Sequence, residues 1–207
     1  MCNETAQRKA FETLMEDLAK RRMPSFEWSE GRIPNDLGPK ESIRISDSAP
    51  IVRLRGDKLV GSMTPWAWKG PTSAPVFNYV TEKKKGEREL CDFSKSDRVL
   101  VFADGFYEYT TPKMPKVKLK DRHLFEMKDE PWFWIAGIVK QGCYTLLTTE
   151  PGPDLKPYHD RQIVTFAPDA GLDWLTFAQP PETMLKAPLA GTFKVTPLRK
   201  DGVDLAA

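Results

Sequence analysis

Eighteen prolines and thirteen glycines are scattered along these 207 residues rather than gathered in one segment, and this limits what the chain can fold into. Proline removes a backbone donor and glycine opens turn conformations, so regular elements are interrupted every few residues. Such a pattern suits many short strands joined by turns better than a helical bundle. The length allows one large domain or two small ones. Nothing in the pattern marks a linker, so one domain over residues 1–207 is expected. At 40% hydrophobic and 29% charged residues the chain has the balance of a soluble globular protein. A formal net charge of only +2 excludes a histone-like polycation, so any nucleic-acid contact must come from a local patch.

The periodicities supply the elements. Phe11, Leu14, Met15 and Leu18 form one apolar stripe, which predicts a helix from residue 4 to about 20, ended by Arg21-Arg22-Met23-Pro24. Residues 24–50 read as loop. Ile51–Leu54 and Lys58–Gly61 predict a hairpin around Gly56-Asp57. Residues 64–76 read as a rigid Pro-rich loop carrying Trp66 and Trp68, and residues 82–88 as a solvated charge run. Arg98–Phe102 is a strand, and Asp104-Gly105 turns the chain into Phe106–Tyr109. Residues 110–122, rich in Lys and Pro, read as exposed. Trp132–Val139, Tyr144–Thr149 and Ile163–Phe166 are further strands, the first two flanking Gln141-Gly142 as a hairpin turn. Pro168 opens a helix to about Phe177. The sum is an α+β fold built on a curved, mainly antiparallel, barrel-like sheet with peripheral helices.

Cys2, Cys91 and Cys143 are odd in number and widely spaced, which points to a reducing cytosol rather than a disulfide framework. His123 and His159 are the chain's two histidines, and no CxxC or HExxH pattern occurs, so neither a metal site nor a cofactor is expected. No apolar run approaches the length of a membrane span. Among the cysteines Cys2 stands apart. Removal of Met1 would leave a 1,2-aminothiol, whose amine condenses with an aldehyde to an imine that the thiol closes into a thiazolidine. The α-amine has a reference pKa of about 7.7–8.0, so a usable fraction is neutral at pH 7. Taken alone, a cysteine in second position is usually an accident of a frayed terminus.

Four segments change that balance: Met1-Cys2, Phe77–Glu82, the Ala-Asp-Gly-Phe-Tyr-Glu run ending at Glu108, and Tyr144–Thr149 followed by His159-Asp160-Arg161. In this order they resemble the SOS-response-associated peptidase (SRAP) family of abasic-site processing proteins, from Cys2 to about Leu175. The resemblance implies covalent capture of abasic sites in single-stranded DNA, with Cys2 as nucleophile. It also implies that Asn78 orients the cysteine and meets the sugar. Glu108 then moves the amine's proton, and His159 passes a proton to the ring oxygen of the sugar. Arg161, with Arg98, would hold phosphates, and Trp66 and Trp68 would stack on a base beside the lesion. The expected partner is single-stranded DNA, taken by a cytoplasmic monomer. The sequence departs from the family's pattern at Asn3 for Gly, Glu4 for Arg, Val60 for Trp, Val80 for Arg and Tyr109 for Trp. These changes bear on DNA grip more than on the covalent centre. A cysteine peptidase using Cys2 and His159 with Glu108, and a non-covalent single-strand-binding module, remain open at this point.

Overall fold

The computed structural model describes residues 2–84 and 89–205; Met1, whose removal the capture chemistry requires, and the second half of the charge run at 82–88 lie outside the described residues. In chain order the strands are β1 (Glu4–Gln7), β2 (Phe26–Trp28), β3 (Lys40–Arg44), β4 (Ser48–Arg55), β5 (Lys58–Pro65), β6 (Trp68–Lys69), β7 (Pro75–Val76), β8 (Asn78–Val80) and β9 (Asp97–Ala103). They continue with β10 (Gly105–Thr110), β11 (Asp121–Met127), β12 (Phe133–Lys140), β13 (Cys143–Thr149), β14 (Gln162–Ile163), β15 (Thr165–Phe166), β16 (Phe193–Lys200) and β17 (Val203–Asp204). The α-helices are α1 (Phe11–Lys20), α2 (Gly171–Thr176) and α3 (Pro181–Met184).

Two curled sheets hold all the described strands but β6 and β7, which form a small two-stranded sheet of their own. One runs β17-β16-β11-β10-β1-β3, and the other β14-β13-β12-β9-β4-β5-β2, with β15 beside β12 and β8 beside β13. Pairing is antiparallel except where β8 joins β13 and β2 joins β5. The expected class, α+β with a curved and mainly antiparallel sheet, is the fold observed. β9 shows how the layers are made. Val99 and Val101 face the other sheet, in a cluster with Phe106, Phe125, Phe133 and Ile135. Leu100 and Phe102 point the opposite way, toward Phe11, Leu14 and Leu18 of α1 and Trp174 of α2. A strand buried on both faces has no polar alternation, which is why Val99–Phe102 reads as an unbroken apolar run.

The Asp104-Gly105 step moves the chain between sheets rather than closing a hairpin. β9 pairs with β12 and β4, whereas β10 pairs with β1 and β11. A Cβ on Gly105 would lie 2.8 Å from the Leu124 side chain and 3.3 Å from that of Arg8, so a larger residue would push the strands apart at this crossing. The hairpins at Gly56-Asp57 and Gln141-Gly142 form as predicted, with Arg55 opposite Lys58 and Lys140 opposite Cys143. Gln141 and Gly142 both have positive φ, 54° and 72°, as a two-residue type I′ turn requires.

The structure corrects three boundaries. The helix starts at Phe11, not at residue 4, because Glu4–Gln7 is fully buried as a strand between β10 and β3. Residues 24–50 hold β2, β3 and the start of β4, with β2 paired to distant β5 and β3 to distant β1, and residues 64–76 hold β6 and β7, which pair with each other. β11 and β16 escape a periodicity reading because charged residues and Pro197 interrupt their apolar positions. Pro197 sits opposite His123 at a register shift, where a missing N–H is tolerated.

Candidate active site

Cys2 enters the gap between the two sheets and is only 1% exposed, in the cluster that holds Ile43, Trp66, Phe106 and Tyr144. Its Sγ donates to the Glu4 carbonyl at 3.4 Å. Burial, with the Glu108 charge adding to it, holds the thiol well above its ordinary pKa and therefore protonated. The segment is anchored from behind by Asp104, whose carboxylate accepts the backbone N–H groups of Arg8 (2.6 Å) and Lys9 (2.8 Å) and the Arg8 Nε (2.8 Å). The acid of the Ala-Asp-Gly-Phe-Tyr-Glu run thus fixes where the N-terminal strand leaves β10.

Asn78 reaches the same point from β8. Its Nδ2 donates to the Cys2 carbonyl at 2.7 Å, while its Oδ1 is buried and accepts no hydrogen bond among the described residues. A buried acceptor in that condition is costly unless something uses it. Parallel pairing with β13, Asn78 opposite Leu146, fixes the residue. Trp66 steadies it, since its Nε1 donates to the carbonyl of Phe77 at 2.8 Å.

Glu108 follows Phe106 on the inward face of β10 and is 2% exposed. Desolvation lifts its pKa to about 7; the Asp160 charge pushes the same way and Lys120 pulls against it. A carboxyl titrating near neutrality suits proton transfer in both directions. His159 follows a tight turn in which its own N–H donates to the Leu155 carbonyl at 3.1 Å. The Arg161 backbone N–H donates to Nδ1 at 3.0 Å, a contact that suits the neutral ring, and an Asp160 carboxylate oxygen lies 2.9 Å from that nitrogen, a contact that suits the protonated one. Glu108, His159 and Asn3 line a cavity of about 390 Å³ whose wall also includes Lys118, Leu119, Lys120 and Arg199. Four residues singled out from the sequence, Cys2, Asn78, Glu108 and His159, therefore converge from four separate segments.

The chain matches the family model described as SOS response associated peptidase (SRAP) over residues 1–202. It belongs to the SRAP family. Over 126 residues it is 33% identical to abasic site processing protein YoaM of Bacillus subtilis, a match that covers 56% of this chain and 53% of that one. The chain thus spans about half the length of this curated relative. Its fold is shared by a protein of Bacteroides thetaiotaomicron (TM-score 0.67, 16% identity, 97% of this chain and 93% of that). It is shared as well by a phage-related protein of Bordetella bronchiseptica (TM-score 0.67, 21% identity, 96% and 95%).

Within this SRAP chain the residues expected to hold DNA stand elsewhere. Trp66 is 0% and Trp68 6% exposed, the former stacked on Tyr144, so neither offers a face to a base. Arg161 is 4% exposed; its Nη1 and Nη2 donate to the two oxygens of Glu82 at 3.2 and 2.7 Å, and Nη2 also to the Thr148 carbonyl. Its guanidinium is committed to joining the Asn78 segment to the His159 segment. The Arg98 guanidinium carbon stands over the Phe177 ring, 3.6 Å from its centre, and Nη2 donates to the Leu175 carbonyl, while Nε and Nη1 are buried with no hydrogen bond among the described residues. In all four the apparent ligand-binding group is a structural member. The exposed lysines of the cavity wall went unassigned in the sequence because a Lys-Pro-rich stretch looks the same whether or not it borders a site.

Two of the departures from the family's pattern meet each other. The Tyr109 hydroxyl donates to the Glu4 carboxylate, which also accepts from Ser42 Oγ at 2.6 Å and Arg122 Nη2 at 2.7 Å. These contacts hold the Glu4 carboxyl below the usual range even though burial acts in the opposite direction. Glu4 and Tyr109 are thus partners in a network on the outer face of the β1–β10 pair.

Proposed function

We propose that this protein captures abasic sites in single-stranded DNA as a covalent thiazolidine on Cys2 once Met1 has been removed. The observation that carries the proposal is the meeting of Cys2, Asn78 and Glu108, with Glu108 and His159 on the wall of one cavity. Membership of the SRAP family and the name of the Bacillus subtilis relative support it.

The chemistry balances without an oxidant or a reductant. His159 gives a proton to the ring oxygen and recovers the one released by the anomeric hydroxyl as the abasic sugar opens to its aldehyde. The Cys2 amine adds to the aldehyde carbon, Glu108 carries the two amine protons in turn to the former carbonyl oxygen, which departs as water, and an imine forms. Sγ then adds to the imine carbon while its proton passes to the imine nitrogen through Glu108. The free Asn78 Oδ1 accepts from the amine or from a sugar hydroxyl. The buried, protonated thiol fits a role that follows imine formation better than that of a peptidase thiolate.

The deciding experiment incubates processed protein, its N-terminus verified by mass spectrometry, with a single strand bearing one abasic site. A heat-stable shifted band that is absent with Cys2→Ala is expected. A missing band with the processed protein, or a wild-type band with Cys2→Ala, overturns the reading.

A further inference from the structure

The cavity holding Glu108 and His159 has a lip that no catalytic role explains. Lys118 and Lys120 are exposed and make no ion pair with any described residue, and Leu119 between them is 51% exposed. Consecutive exposed Lys-Leu-Lys is unremarkable in a loose loop, but this segment is tied down. Arg199 Nε donates to the Lys120 carbonyl at 2.8 Å. Asp201, in the turn after β16, accepts the N–H groups of Lys113 and Met114 at 2.9 and 3.0 Å, and its own N–H donates to Asp121 at 2.7 Å. The lip is therefore held from both ends against β16 and β11. The charge of Lys120 bears on the Glu108 carboxyl, which places it beside the proposed chemistry. With the guanidiniums of Arg98 and Arg161 committed inside the fold, these two ammonium groups are the exposed cations of the cavity wall.

We propose that the Lys118–Leu119–Lys120 lip binds the sugar-phosphate backbone of a single DNA strand, the lysines taking consecutive phosphates and Leu119 packing on the sugar or base between them. This rests on the reading of the cavity as an abasic-site pocket and adds the element that grips the strand beside it. Two paired charges with an apolar spacer fit a flexible strand whose bases are free, since each phosphate neutralised releases a counterion and each unstacked base offers an apolar face. The segment's fixed position means little order has to be imposed on binding.

The test separates grip from chemistry by using undamaged DNA. Binding of a fluorescently labelled oligothymidylate is followed by anisotropy across a salt series for the wild type, K118Q/K120Q, L119S and a control pair, K128Q/K194Q. The control lysines lie at the far end of β11, in a different groove. With K118Q/K120Q, binding at low salt is expected to weaken by about 5–20-fold. The slope of log affinity against log salt should flatten by about 1.4, or about 0.7 per phosphate contact. L119S should weaken binding a few-fold at unchanged slope. Wild-type affinity and slope in K118Q/K120Q overturn the proposal, and so does an equal loss in the control pair. A lysine-dependent slope in a protein that forms no covalent band keeps the lip and removes the crosslinking chemistry. A normal covalent band with lysine-independent binding does the reverse.

Discussion

Glu4 and Glu108 are carboxylates on adjacent strands, 1% and 2% exposed, yet they are driven in opposite directions. Glu4 faces outward from the β1–β10 pair among Ser42, Tyr109 and Arg122, and is held below the usual carboxylate range. Glu108 faces inward beside the buried Cys2 thiol and is raised to about 7. Burial penalises the charged form in both. What separates them is how much hydrogen bonding and positive charge the surroundings return for the water removed: enough at Glu4 to outweigh burial, too little at Glu108. The first arrangement builds a fixed joint, and the second leaves a group able to exchange its proton at neutral pH.

The sharpest way to break this contrast is to neutralise each acid in turn and measure covalent capture of an abasic single strand. Cys2→Ala is expected to abolish the product. Glu108→Gln should slow single-turnover crosslinking by about 10²–10⁴-fold, the usual contribution of a general acid–base group, whereas Glu4→Gln should leave the rate within about 10-fold. Similar slowing in the two glutamine variants would make Glu108 a structural acid like Glu4.

The second effect is on stability and has an unusual sign. Because the folded-state pKa of Glu108 is raised, the native protein holds this proton more tightly than the unfolded chain does. Stability should therefore fall as pH rises from about 4.5 through about 7, by on the order of 3 kcal/mol from this group. Glu108→Gln should lack this component and be more stable than the wild type at alkaline pH, as measured by denaturant unfolding at several pH values. Parallel pH profiles for the two proteins would refute the raised pKa.

Glu4 should behave in mirror image. Its lowered folded-state pKa stabilises the fold above the unfolded carboxylate pKa, and the benefit disappears as pH falls through the folded value. Glu4→Gln should cost about 1–3 kcal/mol near neutral pH, because it leaves Arg122 and Tyr109 short of a charged acceptor, and much less in acid. The smallest expected effect belongs to Tyr109→Phe, about 1 kcal/mol from one lost hydrogen bond. If Tyr109→Phe costs nothing in the wild type and nothing again on top of Glu4→Gln, the two residues are neighbours without coupling.

The sequence was informative where the signal is local. The apolar stripe of Phe11, Leu14 and Leu18, the Val99–Phe102 run and the turn at Gln141-Gly142 each carry their own geometry, and each formed. β1 did not announce itself, because Glu4–Gln7 is a strand only through β10 and β3 on either side. The same limit applied to the site. Cys2, Asn78, Glu108 and His159 were legible as members of motifs. The fates of Trp66, Trp68, Arg98 and Arg161 were not, because a residue's type does not say whether it faces water or the core.

The sequence by itself determined the building blocks: short strands set by dispersed Pro and Gly, one amphipathic helix, and a thiol one residue from the start of the chain. Only the tertiary structure decided which acid is held charged as a joint and which has its pKa raised to about 7. It also decided that Arg161 ties Glu82 inside the fold while Lys118 and Lys120 line the open wall of the cavity. The reason is that periodicity and turn chemistry act over a few residues. Desolvation, charge partnering and exposure are properties of the space between segments, and in this chain β1, β8, β10 and the His159 turn are brought into that space from far apart in sequence.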